Sequence, residues 1–433
     1  MKLFQKLLIA PAVLGLFAPI AASANEINLD EVSGYASSEE VQSINEFNPK
    51  ELASNNNIVD PLETELNSFE AGSFSETTTL SGSANFQIGA VQESSVTEAV
   101  TASYAYDLDL NTSFTGEDNL YVGIEAGNGP TEINTFLGSF ATENSNSQGD
   151  TLNIDSLYYS FPVGEYEIAV GPKLDADDLM PTTTSKYSDE FFFGSRPSLE
   201  SNYWAKQGTG TGIAIARYFD NGWNASGSII ATGGSTASGV LTKEGMDVYN
   251  LSLGYDGDKF GGGIIYQNSD SICNAIDSAF IADLCNQLGV SAALDEGYET
   301  TTLGAYYSPN DKTTLSATSS FISGQIKGVT VDTVSDFQIG VDHEIGNGTL
   351  SASWKTQPFW KLPDQNVAAI KSDDMGSHLE LYYTYNVNDS MTIRPGFSFT
   401  MPTNTAGTLN ANEDVNFYLA DHTAVGVEAT FKF

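Results

Sequence analysis

The chain has 433 residues, with 17 Lys+Arg against 56 Asp+Glu and a formal net charge of −39. That acidity excludes nucleic acid as a partner, which requires a basic face. With 20 Tyr, 24 Phe and 40 Gly, the chain is also too aromatic to be disordered throughout.

Residues 1–24, MKLFQKLLIAPAVLGLFAPIAASA, set Lys2 and Lys6 before an apolar stretch and end on Ala22, Ser23 and Ala24. This is the small-x-small pattern of a cleaved export signal. Pro11 and Pro19 break the apolar run, which argues against a membrane anchor. Loss of the two lysines on cleavage takes the net charge from −39 to −41. No later segment approaches the roughly 20 apolar residues of a membrane helix. Any further membrane contact must therefore be made by strands. Residues 25–72 are acidic, rich in Asn and Ser and free of period-two runs, and read as a flexible periplasmic extension.

From residue 73 to 433 the pattern changes. In LSGSANFQIGA, Leu80, Ala84, Phe86, Ile88 and Ala90 share one face, while Ser81, Ser83, Asn85 and Gln87 share the other. SYAYDLDLNTSF alternates in the same way, with Tyr104, Tyr106, Leu108 and Leu110 set against Asp107, Asp109 and Asn111. The alternation recurs in NLYVGIEAG, EYEIAVG, TLSASW, HLELYYTYNV and SMTIRPGFSFT. Period two marks strands with one apolar and one wet face, and the wet faces carry charges that an ordinary core would not accept.

The connections alternate between short and long. Tight turns with Gly, Asp, Asn or Pro chemistry fall at 115–118, 163–165, 220–222, 256–259, 309–311, 346–348 and 387–389. Long irregular stretches lie between them, the largest at about 127–150, 174–206 and 268–296. Hairpins at these turns, with one strand before them and one after, make about sixteen strands in an all-β fold. Short periplasmic turns, long extracellular loops, an apolar outer face and a polar interior define a transmembrane antiparallel β-barrel in outer-membrane lipid. Closure leaves no unpaired backbone in lipid. A soluble β-sandwich also alternates along its strands, but its turns need not alternate in length. The chain ends on VGVEATFKF, and its last strand must close the barrel. Phe433, on the lipid-facing phase, resembles the sorting signal read by the outer-membrane assembly machinery.

The two cysteines, Cys273 and Cys285, fall in one apparent loop and are expected to form a local disulfide in an oxidising compartment. Without a nearby histidine they make a poor zinc site. The Asp-rich DADD lacks the Gly and distal Glu of a calcium loop. His343, His378 and His422 sit in no nucleophile motif. The expectation is a protein without metal, cofactor or catalysis.

The stretches GSFSETTTLSGSANFQIGAV, YDLDLNTSFTGEDNLYVGIEAGN and AVGPKLDADDLMP resemble the cyanobacterial Som-type major outer-membrane porins, which are also called iron uptake porins and are grouped with OprB-like carbohydrate-selective porins. The resemblance implies a homotrimer. Such porins usually carry an S-layer-homology domain and a coiled-coil spacer ahead of the barrel. Neither pattern is present in residues 25–72, so cell-wall anchoring does not carry over.

About sixteen strands leave a lumen wide enough for an aqueous channel, whose selectivity depends on inward residues and on any loop folded inside. The inward phase offers Asp107, Asp109, Glu125, Glu167 and Glu380, with Lys355 and Arg394 as basic counterweight. The expected constriction loop is 174–206, with Asp175, Asp177 and Asp178 near its start and Lys186, Arg196 and Lys206 beyond. Acids and bases on opposing sides would orient passing solutes. Phe191, Phe192 and Phe193 are read as loop packing or trimer contact, with a sugar-stacking track as the alternative. The function expected is passive diffusion of small solutes and inorganic ions, favouring cations and including iron only by the resemblance. A carbohydrate-selective channel and a structural protein with a closed lumen are the alternatives.

Overall fold

In the computed structural model the described residues are 77–93, 99–130, 138–188, 191–192, 208–237, 239–242, 247–270, 295–326, 329–357, 376–401, 408–410, 413–414 and 422–433. The export signal, the extension, Phe193, Arg196, Lys206, Cys273 and Cys285 lie outside them. Strands β1 (Thr78–Glu93), β2 (Val100–Thr112), β3 (Asn119–Gly127), β4 (Asn153–Val163) and β5 (Tyr166–Asp175) pair in chain order. They are followed by β6 (Thr209–Tyr218), β7 (Trp223–Ala231), β8 (Asp247–Asp256), β9 (Phe260–Ser269), β10 (Asp295–Asn310) and β11 (Thr313–Ile326). Strand β12 comes in two pieces, Val329–Ser335 and Gln338–Ile345, which pair with successive parts of β11 and so occupy one place in the wall. Its interruption is satisfied locally, since the Ser320 amide donates to Asp336 Oδ1 at 2.7 Å. Strands β13 (Gly348–Gln357), β14 (Gly376–Asn388), β15 (Met391–Met401) and β16 (His422–Lys432) complete the wall. A two-stranded ladder, Thr408–Asn410 with Glu413–Asp414, stands apart from the barrel sheet.

The sheet closes where β16 pairs with β1, from Ser83↔Lys432 to Glu93↔His422. Phe433 finishes the seam, donating its amide to Gly82 O at 3.1 Å and accepting from Gly82 N at 2.9 Å. The barrel therefore has sixteen antiparallel strands, and the tight turns fall where the sequence places them. Gly116, Gly164, Gly222 and Gly346 sit in four of those turns at positive φ, which a side chain would disfavour. Register then separates the faces. Phe86, Ile88, Leu251, Ile264, Leu303 and Ile339 stand exposed on the outside, while Asn85, Gln87, Asn250, Gln267, Thr302 and Gln338 turn inward. Exposed apolar strands of this extent suit hydrocarbon rather than water.

Candidate functional site

Among the described residues, two chain segments fold into the interior and leave one wall open. The segment after β5 runs along the inner face past β7 to β14. Thr182 Oγ1 lies 2.9 Å from Asn224 Oδ1 and 2.8 Å from Ser252 Oγ. The Lys186 amide donates to Ser316 Oγ at 3.1 Å, and Ser188 donates its amide and hydroxyl to Asp342 at 3.1 and 2.8 Å. Glu380 holds the far end, accepting from Tyr187 Oη at 2.8 Å and from the Phe191 amide at 3.0 Å.

Inward glycines make room for this approach. Gly254, Gly263 and Gly304 lie side by side on β8, β9 and β10. A Cβ on Gly254 would come within 2.9 Å of Thr182 Cγ2, and one on Gly263 or Gly304 would collide with Thr182 or Thr184. A second row, Gly89, Gly426 and Gly396 on β1, β16 and β15, receives rings instead. There a Cβ would strike Phe140 or come within 3.0 Å of Phe191.

Phe140 belongs to the second inward segment, between β3 and β4. Glu428 on β16 holds this segment, accepting from Thr142 Oγ1, from Asn144 Nδ2 at 3.1 Å and from Gln87 Nε2 at 3.3 Å. Arg394 on β15 completes the network at 2.9 Å from Glu428. The two segments meet in a dry cluster of Val91, Phe140, Tyr187, Phe191, Phe192 and Tyr382.

The wall from β2 to β5 carries mostly carboxylates. Asp107 and Glu125 face each other across β2 and β3. Asp155 lies within electrostatic reach of Asp107, Glu125, Asp175 and Asp178, and Glu167 and Asp175 act on Tyr158. Tyr121 packs on Tyr158 at 5.2 Å between centroids and donates to Asp109 at 2.6 Å. Asp175 ends β5 instead of opening the loop. Asp177 and Asp178 form the turn that follows, where the Asp175 amide donates to Asp178 Oδ2 at 2.7 Å. Burial, reinforced by Asp177 and Asp155, pushes Asp178 up to about 7. Among the described residues no three acidic or Cys/His side chains converge to hold a metal.

The expected basic counterweight takes a different form. Lys355 and Glu380 face inward but are 0% exposed, so neither meets open solvent; Glu380 holds a loop instead. Arg394 is tied to Glu428, and Lys186 pairs with Asp256 at 3.2 Å over the Tyr306 ring. Phe191 and Phe192 are both 0% exposed, which rules out a sugar track made of these rings. A cavity of about 670 Å³ remains, bounded by Asp107, Glu125, Asn144, Ser188, Arg394 and Glu428 among others.

Asp155, Glu428, Asp342 and Phe140 were not singled out in the sequence. Glu428 carried a usable signal, as the lone acid on the wet face of the last strand. Asp155 carried none, because a register shift between Gly123/Ser156 and Ile124/Ile154 places it outside the pairing.

Solved structures share this architecture. An anion-selective porin from Comamonas acidovorans matches with a TM-score of 0.55 at 13% identity, over 82% of this chain and 99% of that one. OprB from Pseudomonas putida matches with a TM-score of 0.58 at 9% identity, over 82% and 94%. The fold is that of the porins. A loop-deletion form of OmpT from Vibrio cholerae, at 0.54 and 8% identity over 82% and 99%, has the same fold. No family model and no curated protein matches the chain. At these identities the likeness concerns the porin barrel alone, and the charges inside it have to be read from this chain.

Proposed function

We propose that this protein is an outer-membrane porin through which small hydrophilic solutes and inorganic ions diffuse down their gradients, with cations favoured. One observation carries the reading: carboxylates on β2–β5 face the lumen, while Lys186, Lys355 and Arg394 are ion-paired or buried. In a narrow lumen with low-dielectric walls, such a field raises the local concentration of cations. No step is chemical, and flux follows concentration.

Membership in the Som-type group, a homotrimeric assembly and iron among the cargo extend this reading on the resemblance of the quoted motifs. Export through the 1–24 signal and a Cys273–Cys285 disulfide belong to the same proposal. N-terminal sequencing of the mature protein tests the first, and thiol alkylation with and without reductant tests the second.

Purified, folded protein in a planar bilayer under a KCl gradient tests the central claim. Discrete conductance steps with a cation-favouring reversal potential support it. Folded protein that passes no current refutes it and favours a structural role.

A further inference from the structure

We propose that residues 138–146 form a second wall of the pore constriction, and that Phe140 is the positioning residue that makes this wall and the segment after β5 a single unit. The inference rests on the channel reading and adds what sets the channel's width. Phe140 is 1% exposed inside the barrel. It occupies the space left by the missing Cβ atoms of Gly89 and Gly426. Its amide donates to Thr101 Oγ1 at 2.9 Å, which fixes the backbone at the ring.

From that seat the ring reaches the other segment, with centroids 5.7 Å from Phe191 and 6.3 Å from Phe192. Phe191 in turn stacks on Tyr382 of β14 at 5.9 Å. The aromatic contacts thus run from the β1–β16 seam across to β14 and include both inward segments. The polar residues just after Phe140 do the facing. Glu143, Asn144, Ser145 and Asn146 border the same cavity that Ser188 borders from the other segment. A solute in that cavity meets both segments at once, and the phenylalanines that hold them there are sealed away from it. Displacing one segment removes the packing surface of the other, so pore width responds to both as one body.

The test is single-channel conductance and open-level noise of wild type, Phe140→Ala, Phe191→Ala and the double variant, each first shown to be folded by heat-modifiable migration in gels. The expected result is a rise of roughly 1.5-fold with added flicker in either single variant, and a double variant no larger than the greater single one, the non-additive outcome for groups in contact. If Phe140→Ala does not fold, Phe140→Leu carries the test, with noisier steps than wild type expected. Wild-type conductance and noise in folded Phe140→Ala or Phe140→Leu, or additive effects in the double variant, would overturn the inference. A wild type without conductance strikes the channel reading instead, and the two failures are told apart by that first trace.

Discussion

The wall from β2 to β5 and the wall from β7 to β14 are built from the same alternating strands, yet they treat charge in opposite ways. On the first, carboxylates are gathered, with Lys173 within electrostatic reach of Glu125 and Lys432 bordering the same cavity as Glu125 among the described residues. On the second, Asp342, Glu380 and Asp256 each hold a structural partner. Asp342 holds Ser188, Glu380 holds Tyr187 and the Phe191 amide, and Asp256 holds Lys186. A carboxylate bound by several donors in a dry setting acts as a fastener, while one facing water acts as a field source. An inward acid in a barrel therefore cannot be assigned to selectivity by its phase alone.

The largest effects are expected at the fasteners. Removing the Glu428 side chain leaves Arg394 with a side chain only 7% exposed and no counter-ion from this pair. Glu428→Ala should therefore cost about 3–5 kcal/mol in unfolding experiments in detergent and should loosen the 138–146 segment, seen as larger and noisier conductance. Next comes Glu380→Gln, which weakens charge-assisted bonds to Tyr187 and Phe191 and should cost about 1–2 kcal/mol by the same measurement. Neither change should abolish cation preference, because neither residue belongs to the open acidic wall.

A smaller effect concerns pH. Asp178 is held near 7 against an ordinary value of 3.8, so it is protonated below that point and ionised above it. Cation preference should rise as pH passes upward through about 7, and Asp178→Asn should flatten that rise. The linked stability runs the other way. The folded state binds the extra proton between about 4 and 7, so stability is greatest below that window and falls as pH rises through it. Smallest of all is Arg217→Ala. Arg217 on β6 pairs with the exposed Glu165 of the β4–β5 turn on the outer phase it shares with Ile213 and Ile215, outside the lumen, and its loss should leave reversal potential and unfolding midpoint unchanged.

Much of the fold was legible because two independent patterns agreed. Period two set the faces, and the alternation of short and long connections set the direction of every hairpin. Inward phase was readable for Asp107, Glu125, Glu380 and Arg394 for the same reason. What could not be read is which of them the loops cover. That depends on the inward glycines at 254, 263, 304, 89, 426 and 396, which align only once the register of their strands is known. Along the chain each looks like a gap in a strand. The segment 138–146 was hidden likewise, since a Phe-Ala-Thr run amid Asn and Ser reads as an ordinary surface loop. The bulge that frees Asp155 leaves no mark on the alternation.

In this channel the β2–β5 carboxylates, and not the paired charges opposite them, set the sign of the pore. The direct test is the reversal potential under a KCl gradient of Asp107→Asn/Asp109→Asn/Glu125→Gln beside that of Lys186→Gln. The triple variant is expected to move the potential most of the way to zero while Lys186→Gln barely shifts it. A triple variant with the wild-type potential, or a Lys186→Gln shift of equal size, would contradict it.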